Sequence, residues 1–212
     1  MYRILLFTVV IAASLIMTIM RSDAVLIASE QFIYTNANNA QFSGLTNTNN
    51  SYGWSTAWEG AFDFKTNGMA YIDLAVAGGA AVNPTNFATA SYRTISTNGM
   101  GSLLTAGGKF GLAGTDIWLR FLVSATDATN TTTYSGLSLF DVSAEKLFLG
   151  KRNGAGFYGV EGSGIGSNST VALSTATTLY IAKISFTAGN ESVSMWALTN
   201  SLPGDTNALG AP

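Results

Sequence analysis

Neither cysteine nor histidine occurs anywhere in the 212 residues. Their absence excludes disulfides, thiolate nucleophiles, Cys/His zinc sites and any catalytic triad that needs an imidazole base. It also excludes a lipid-anchored N-terminal cysteine. Charge is scarce, with ten basic side chains against twelve acids and a net charge of −2. Beyond Met20 nothing approaches the roughly 18 unbroken apolar residues that a membrane span needs, so no span is expected in the mature chain. There is no repeat at a fixed period and no Pro-rich linker, which argues against a solenoid, a propeller or two domains.

The strongly apolar segment is N-terminal. Met1-Tyr2-Arg3 makes a short positive start, Ile4 to Met20 is apolar apart from Thr8, Ser14 and Thr18, and Ser22-Asp23-Ala24 offers small residues at the two positions a signal peptidase inspects. Residues 1–24 read as a signal peptide cleaved after Ala24, with Ala28 as second choice, and predict a secreted, extracellular or cell-surface protein. The alternative is an uncleaved N-terminal anchor, since this stretch is nearly long enough to span. Removing residues 1–24 takes away Arg3, Arg21 and Asp23 and leaves eight bases and eleven acids, a net charge of −3. Bases so few and scattered form no stripe able to release counterions from a phosphate backbone, which speaks against nucleic acid as a partner. The core must hold the exported domain without sulfur bridges, as about 190 residues can.

After residue 28 the pattern is period-two alternation of β-branched and aromatic residues. From Asp116 to Ala125, Ile117, Leu119, Phe121 and Val123 share one face, and Trp118, Arg120 and Leu122 the other. From Thr178 to Thr187, Leu179, Ile181, Lys183 and Ser185 alternate with Tyr180, Ala182, Ile184 and Phe186. Further strands are predicted over Ala70 to Ala77, Thr89 to Ile95, Tyr134 to Phe140, Lys146 to Lys151, Gly156 to Glu161 and Glu191 to Leu198. Turn signals such as Asn98-Gly99, Gly107-Gly108, Asn153-Gly154 and Gly189-Asn190 separate them. The pattern predicts an all-β domain over residues 25–203, a two-sheet antiparallel β-sandwich, with a closed barrel as the runner-up. Phe121 and Ile181 are both expected to turn away from water. Residues 204–212 carry no strand signal and read as a C-terminal tail or as a chain that stops before a closing strand.

Several stretches resemble exported bacterial surface proteins with a concanavalin A-like, laminin-G-like jelly roll and a C-terminal sorting tail. They are Glu30-Gln31-Phe32-Ile33-Tyr34, then Gly53-Trp54 and Trp58, the strand Trp118 to Val123, Tyr134 to Leu139, Leu147 to Lys151, Tyr158-Gly159, Leu179 to Phe186, and Val193 to Trp196 leading to Pro203. The resemblance covers roughly residues 29 to 203 and implies a jelly roll. A further strand with an acidic pair and the sorting tail of such relatives are not found in this sequence.

Some enzymes of that architecture cleave β-glucans with carboxylates at alternating strand positions. Here no two acids stand at i and i+2. Glu59 with Asp63, and Asp141 with Glu145, are four apart, which on a straight strand is about 13 Å against about 5 to 9.5 Å between glycosidase carboxylates. Asp141 and Glu145 are expected to flank a turn. No catalytic residue is assigned, and the reading is a non-enzymatic module that binds carbohydrate or serves surface structure or adhesion, with a glycoside hydrolase or lyase as the alternative.

A flat aromatic ring can stack on a pyranose face while amides orient the hydroxyls. Trp54, Trp58 and Tyr158 are the ligand-binding candidates, with Trp196 also worth inspection. Trp54 and Trp58 at i and i+4 would share one strand face, a placement that serves packing or ligand contact alike. Trp118 and Trp196, inside alternating strands, are assigned to the core. Calcium is the cofactor this architecture often holds, and the loop Asp127 to Asn130 offers two oxygen ligands, but no Asp-x-Asp-x-Asp-Gly run exists and no metal residue is assigned. The Asn-x-Ser/Thr matches at Asn49, Asn130, Asn168 and Asn190 are expected by chance in so Asn-, Ser- and Thr-rich a chain.

Overall fold

A computed structural model describes residues 25–46, 51–72, 74, 76, 78–84, 90–125, 127–129, 132–162, 164–203, 209, 210 and 212. The expected signal peptide lies outside the described residues, as do 204–208 of the tail. Five short strands come first: β1 (Ala40–Gln41), β2 (Glu59–Gly60), β3 (Asp63–Lys65), β4 (Ala80–Val82) and β5 (Ser91–Tyr92). Longer ones follow: β6 (Asp116–Val123), β7 (Ser135–Asp141), β8 (Ala144–Lys151), β9 (Phe157–Gly162), β10 (Ile165–Ala172), β11 (Thr178–Ser185) and β12 (Ser192–Leu198). A 3-10 turn at Gly101–Leu103 is the one helical element bounded within the described residues. No helix among them is long and apolar enough to cross a membrane.

The long strands build two antiparallel sheets, one in the order β10-β9-β8-β7 and one in the order β12-β11-β6. The chain runs up β6, crosses to the other sheet for a four-strand meander, and returns so that β11 pairs with both β6 and β12. The predicted alternation sets the register: Phe121 lies opposite Tyr180, and Leu119 opposite Ala182. These side chains, with Ile184 and Met195, meet Leu147, Leu149 and Tyr158 of the facing sheet in one core. Tyr158 stands edge-on to Tyr180 across the seam at 5.2 Å, and Phe121 stacks on Tyr180 at 4.9 Å. Leu149 is fully buried, a contribution of about 1.5 to 3 kcal/mol from that side chain alone. No ladder joins the two sheets among the described residues, so the arrangement is sandwich-like rather than a closed barrel.

Asp141 and Glu145 do flank a turn. Asp141 pairs with Ala144, leaving Val142 and Ser143 as a two-residue hairpin loop. Phe121 is in the core, whereas Ile181 sits on the opposite face of its sheet, half-buried beside Trp196.

The N-terminal half forms a smaller layer in which β1-β3-β4 and β2-β5 make separate short ladders. Aromatic rings hold it together more than backbone pairing does. Phe42 and Phe64 are buried, and Phe42 packs against Phe32, Tyr34 and Trp58 with centroids 4.6 to 5.8 Å apart.

Two expected strands do not form as such. Between Ala70 and Ala77 the described residues hold only an isolated bridge from Tyr71 to Leu74, closing a turn in which Ile72 takes φ 40°. Of Thr89 to Ile95, only Ser91–Tyr92 joins a ladder, while Ile95 makes one bridge to Trp54. β10 went unpredicted because its Gly-Ser-Asn-Ser-Thr centre has no apolar alternation; it is a largely exposed edge strand, zipped to β9 through backbone bonds.

Candidate functional site

Trp54 and Trp58 come together, though not as one face of a strand. Trp54 follows Gly53, whose φ of +78° and approach to the Ile27 carbonyl leave no room for a side chain. The tight crossing delivers the Trp54 indole to Ser29, whose carbonyl accepts from Nε1 at 2.9 Å. Trp58 lies just before β2 and donates from Nε1 to the Tyr34 hydroxyl at 2.8 Å and to Glu30 at 3.3 Å. The two indole centroids are 6.3 Å apart.

Arg93, beyond β5, ties the pair together. Its guanidinium carbon lies 5.1 Å from the Trp54 ring centroid and 5.6 Å from that of Trp58, within reach of a cation–π attraction. Nη1 donates to Glu30 Oε2 at 2.5 Å, and Nε to the Thr56 carbonyl at 3.1 Å. Glu30 is fully engaged: Oε1 accepts from the Phe32 amide, and Oε2 from Arg93, Tyr34 and Trp58. Burial, then the charge and hydrogen bond of Glu30, push the Tyr34 phenol far above its usual value. It therefore stays a neutral donor.

Beside Trp54 and Arg93 opens a pocket of about 280 Å³, rimmed by Thr46, Ser51, Ser55 and Thr56. Such a volume falls just below the roughly 300 to 1,000 Å³ of small-molecule sites, and the pocket is a shallow, open one. Backbone and hydroxyl bonds to Thr94 fix the rim: Ser55 Oγ donates to its carbonyl, and Thr56 Oγ1 accepts from its amide. The pocket thus offers one indole, braced from behind by the neutralised Arg93–Glu30 pair, and several hydroxyls, a set that can bind and orient a polyol.

Tyr158 is not part of this place. It is 1% exposed in the sandwich core, its hydroxyl bonded to Ser174 and Thr178, so it is a packing residue and cannot stack on a ligand. The assignment of Trp118 and Trp196 to the core is also corrected. Trp118 is 43% exposed and stacks on half-buried Trp196 at 6.1 Å, on the outer face of β12-β11-β6. Alternation put Trp118 on the same face as Arg120, but only the strand pairing brings Trp196 beside them and turns this face away from the other sheet. Arg93 carries no sequence signal because a lone arginine just past a short strand belongs to no pattern.

No family model, curated protein or solved structure matches this chain. The likeness to concanavalin A-like surface domains therefore rests on the sequence motifs quoted above.

The loop named for calcium is described only in part. Asp127 Oδ1 accepts from the amide and hydroxyl of Thr129 within its own turn, and the charge of Asp127 acts on the Lys151 ammonium. Asn130 lies outside the described residues. Among the described residues no three His, Cys, Asp or Glu side chains gather to hold a metal.

Proposed function

We propose that this chain is an exported, non-enzymatic β-sandwich of the concanavalin A-like jelly-roll type that binds carbohydrate at the Trp54 pocket. The observation that carries the reading is the pocket itself: an indole braced by Arg93, with hydroxyl-bearing side chains along the rim. The ring supplies an apolar stacking surface and the hydroxyls supply orientation, the pairing that sugar recognition needs. The N-terminal segment that reads as an export signal and the scarcity of charge in an Asn-, Ser- and Thr-rich sequence support a role outside the cytoplasm. Binding is favoured over hydrolysis because Glu30, the acid bonded to Arg93, has both oxygens occupied by donors and is 7% exposed, so it is poorly placed to activate water.

A glycan array run on the full chain, with and without calcium, tests the reading. The expected outcome is calcium-independent retention of a neutral glycan, lost at least tenfold in Trp54→Ala. No retention on any glycan, or retention untouched by Trp54→Ala, overturns it.

A further inference from the structure

The outer face of the β12-β11-β6 sheet carries a second group of side chains with a different chemistry. Trp118 and Arg120 are two apart on β6, hence on one face and about 7 Å apart along the strand. Arg120 stands opposite Ile181, which stands opposite Trp196, so the three side chains form one row across the sheet, and Trp196 Nε1 donates to the Gly210 carbonyl, which leaves Trp118 and Arg120 as the open part of the face. The indoles of Trp118 and Trp196 are nearly parallel, 16° apart, and Trp118 is 43% exposed.

The charges on this face are not equivalent. Lys183 approaches the Trp118 ring at 5.8 Å but is held by Asp116 at 3.0 Å, and Ser185 and Lys183 keep the Asp116 carboxyl below its ordinary value. That pair is internally neutral. Arg120 is exposed and makes no ion pair among the described residues. An exposed aromatic ring beside one unneutralised, fork-shaped cation suits a ring-shaped ligand that bears a carboxylate, because guanidinium matches a carboxylate in two parallel bonds.

We propose that the Trp118–Arg120–Trp196 face is a second binding surface, for an acidic polysaccharide whose pyranose ring rests on Trp118 and whose carboxylate is held by Arg120. It is separate from the Trp54 pocket and does not depend on it. On this face Arg120 is the one cation without an ion pair among the described residues, too little for a nucleic-acid backbone, where affinity grows with each phosphate neutralised. It is enough for one uronate per contact.

Affinity electrophoresis of the full chain in gels containing polygalacturonate, a neutral β-glucan or oligothymidylate tests this. Polygalacturonate is expected to retard the chain, with the retardation reduced at least tenfold by Trp118→Ala and by Arg120→Gln, the latter without a shift in melting temperature, and unchanged in Trp54→Ala. Salt should weaken binding of the parent chain more than that of Arg120→Gln. The proposal is overturned by an absence of retardation in polygalacturonate, by retardation that Arg120→Gln leaves intact, or by retention on oligothymidylate instead. A dimer dispersed by Trp118→Ala overturns it too, since a second copy then occupies the face. A failed Trp54 pocket shows separately, as loss of neutral-glycan binding alone.

Discussion

Arg93 and Glu30 form a 2.5 Å ion pair whose side chains are 4% and 7% exposed. They are 63 residues apart in sequence, and the pair joins the opening segment to the end of the first layer. A buried pair is a weak stabiliser as a whole, but a lone survivor is costly. Arg93→Ala or Glu30→Ala should therefore destabilise the fold by about 3 to 5 kcal/mol, read as a shift in the urea midpoint. Arg93→Ala should also empty the Trp54 pocket of its brace and lower glycan affinity in any variant that still folds.

Two core tyrosines should respond in opposite ways. The Tyr158 hydroxyl has partners in Ser174 and Thr178, whereas the Tyr180 hydroxyl is buried without a partner among the described residues. Tyr158→Phe is expected to cost about 1 to 3 kcal/mol by orphaning those groups, and Tyr180→Phe to be neutral or stabilising. Chemical denaturation of the two variants side by side checks this, and neither should alter glycan binding.

The β7–β8 hairpin holds a strained residue. Val142 is 94% exposed with φ +57°, a conformation that β-branched side chains resist. Val142→Gly should stabilise the protein by about 1 to 2 kcal/mol, seen as a higher melting temperature. The reverse holds at Gly150, where φ is +146° and a Cβ would stand 2.4 Å from the Ser135 carbonyl; Gly150→Ala should destabilise sharply.

Stability should depend on pH at both ends. Lys109 holds the Asp141 carboxyl below its ordinary 3.8, and Ser185 with Lys183 does so for Asp116. Their contribution is complete above pH 3.8 and is lost as the pH falls through the lower folded-state values. Lys151 is 2% exposed and bonded to the Thr133 carbonyl, and burial lowers its pKa from 10.5 with a partial offset from Asp127. The unfolded chain then holds that proton more tightly, so this group's contribution rises as the pH climbs through its lowered folded-state value, whereas Tyr34, Tyr92 and Tyr180, all raised above 10.0, lose theirs as the pH passes 10. A series of melting temperatures across pH checks both limbs, and Lys151→Met should abolish the alkaline rise while leaving the acid limb intact.

The long strands were legible because each is its own record: Leu119, Phe121 and Val123 alternate with Trp118, Arg120 and Leu122 whatever they pack against. The candidate site was half legible. Trp54 and Trp58 are conspicuous, but their contact runs through Arg93 and Glu30, which no local pattern links to them. β10 was illegible for a related reason, since an exposed edge strand has no buried face to write an apolar rhythm.

By itself the sequence determined an all-β chain free of sulfur bridges, because period-two alternation and missing cysteines are properties of neighbouring residues and of composition. Only the tertiary structure decided which face of each strand is inside. It sent Tyr158 into the core and Trp118 to the surface, since a strand has two equivalent faces until another sheet closes over one of them.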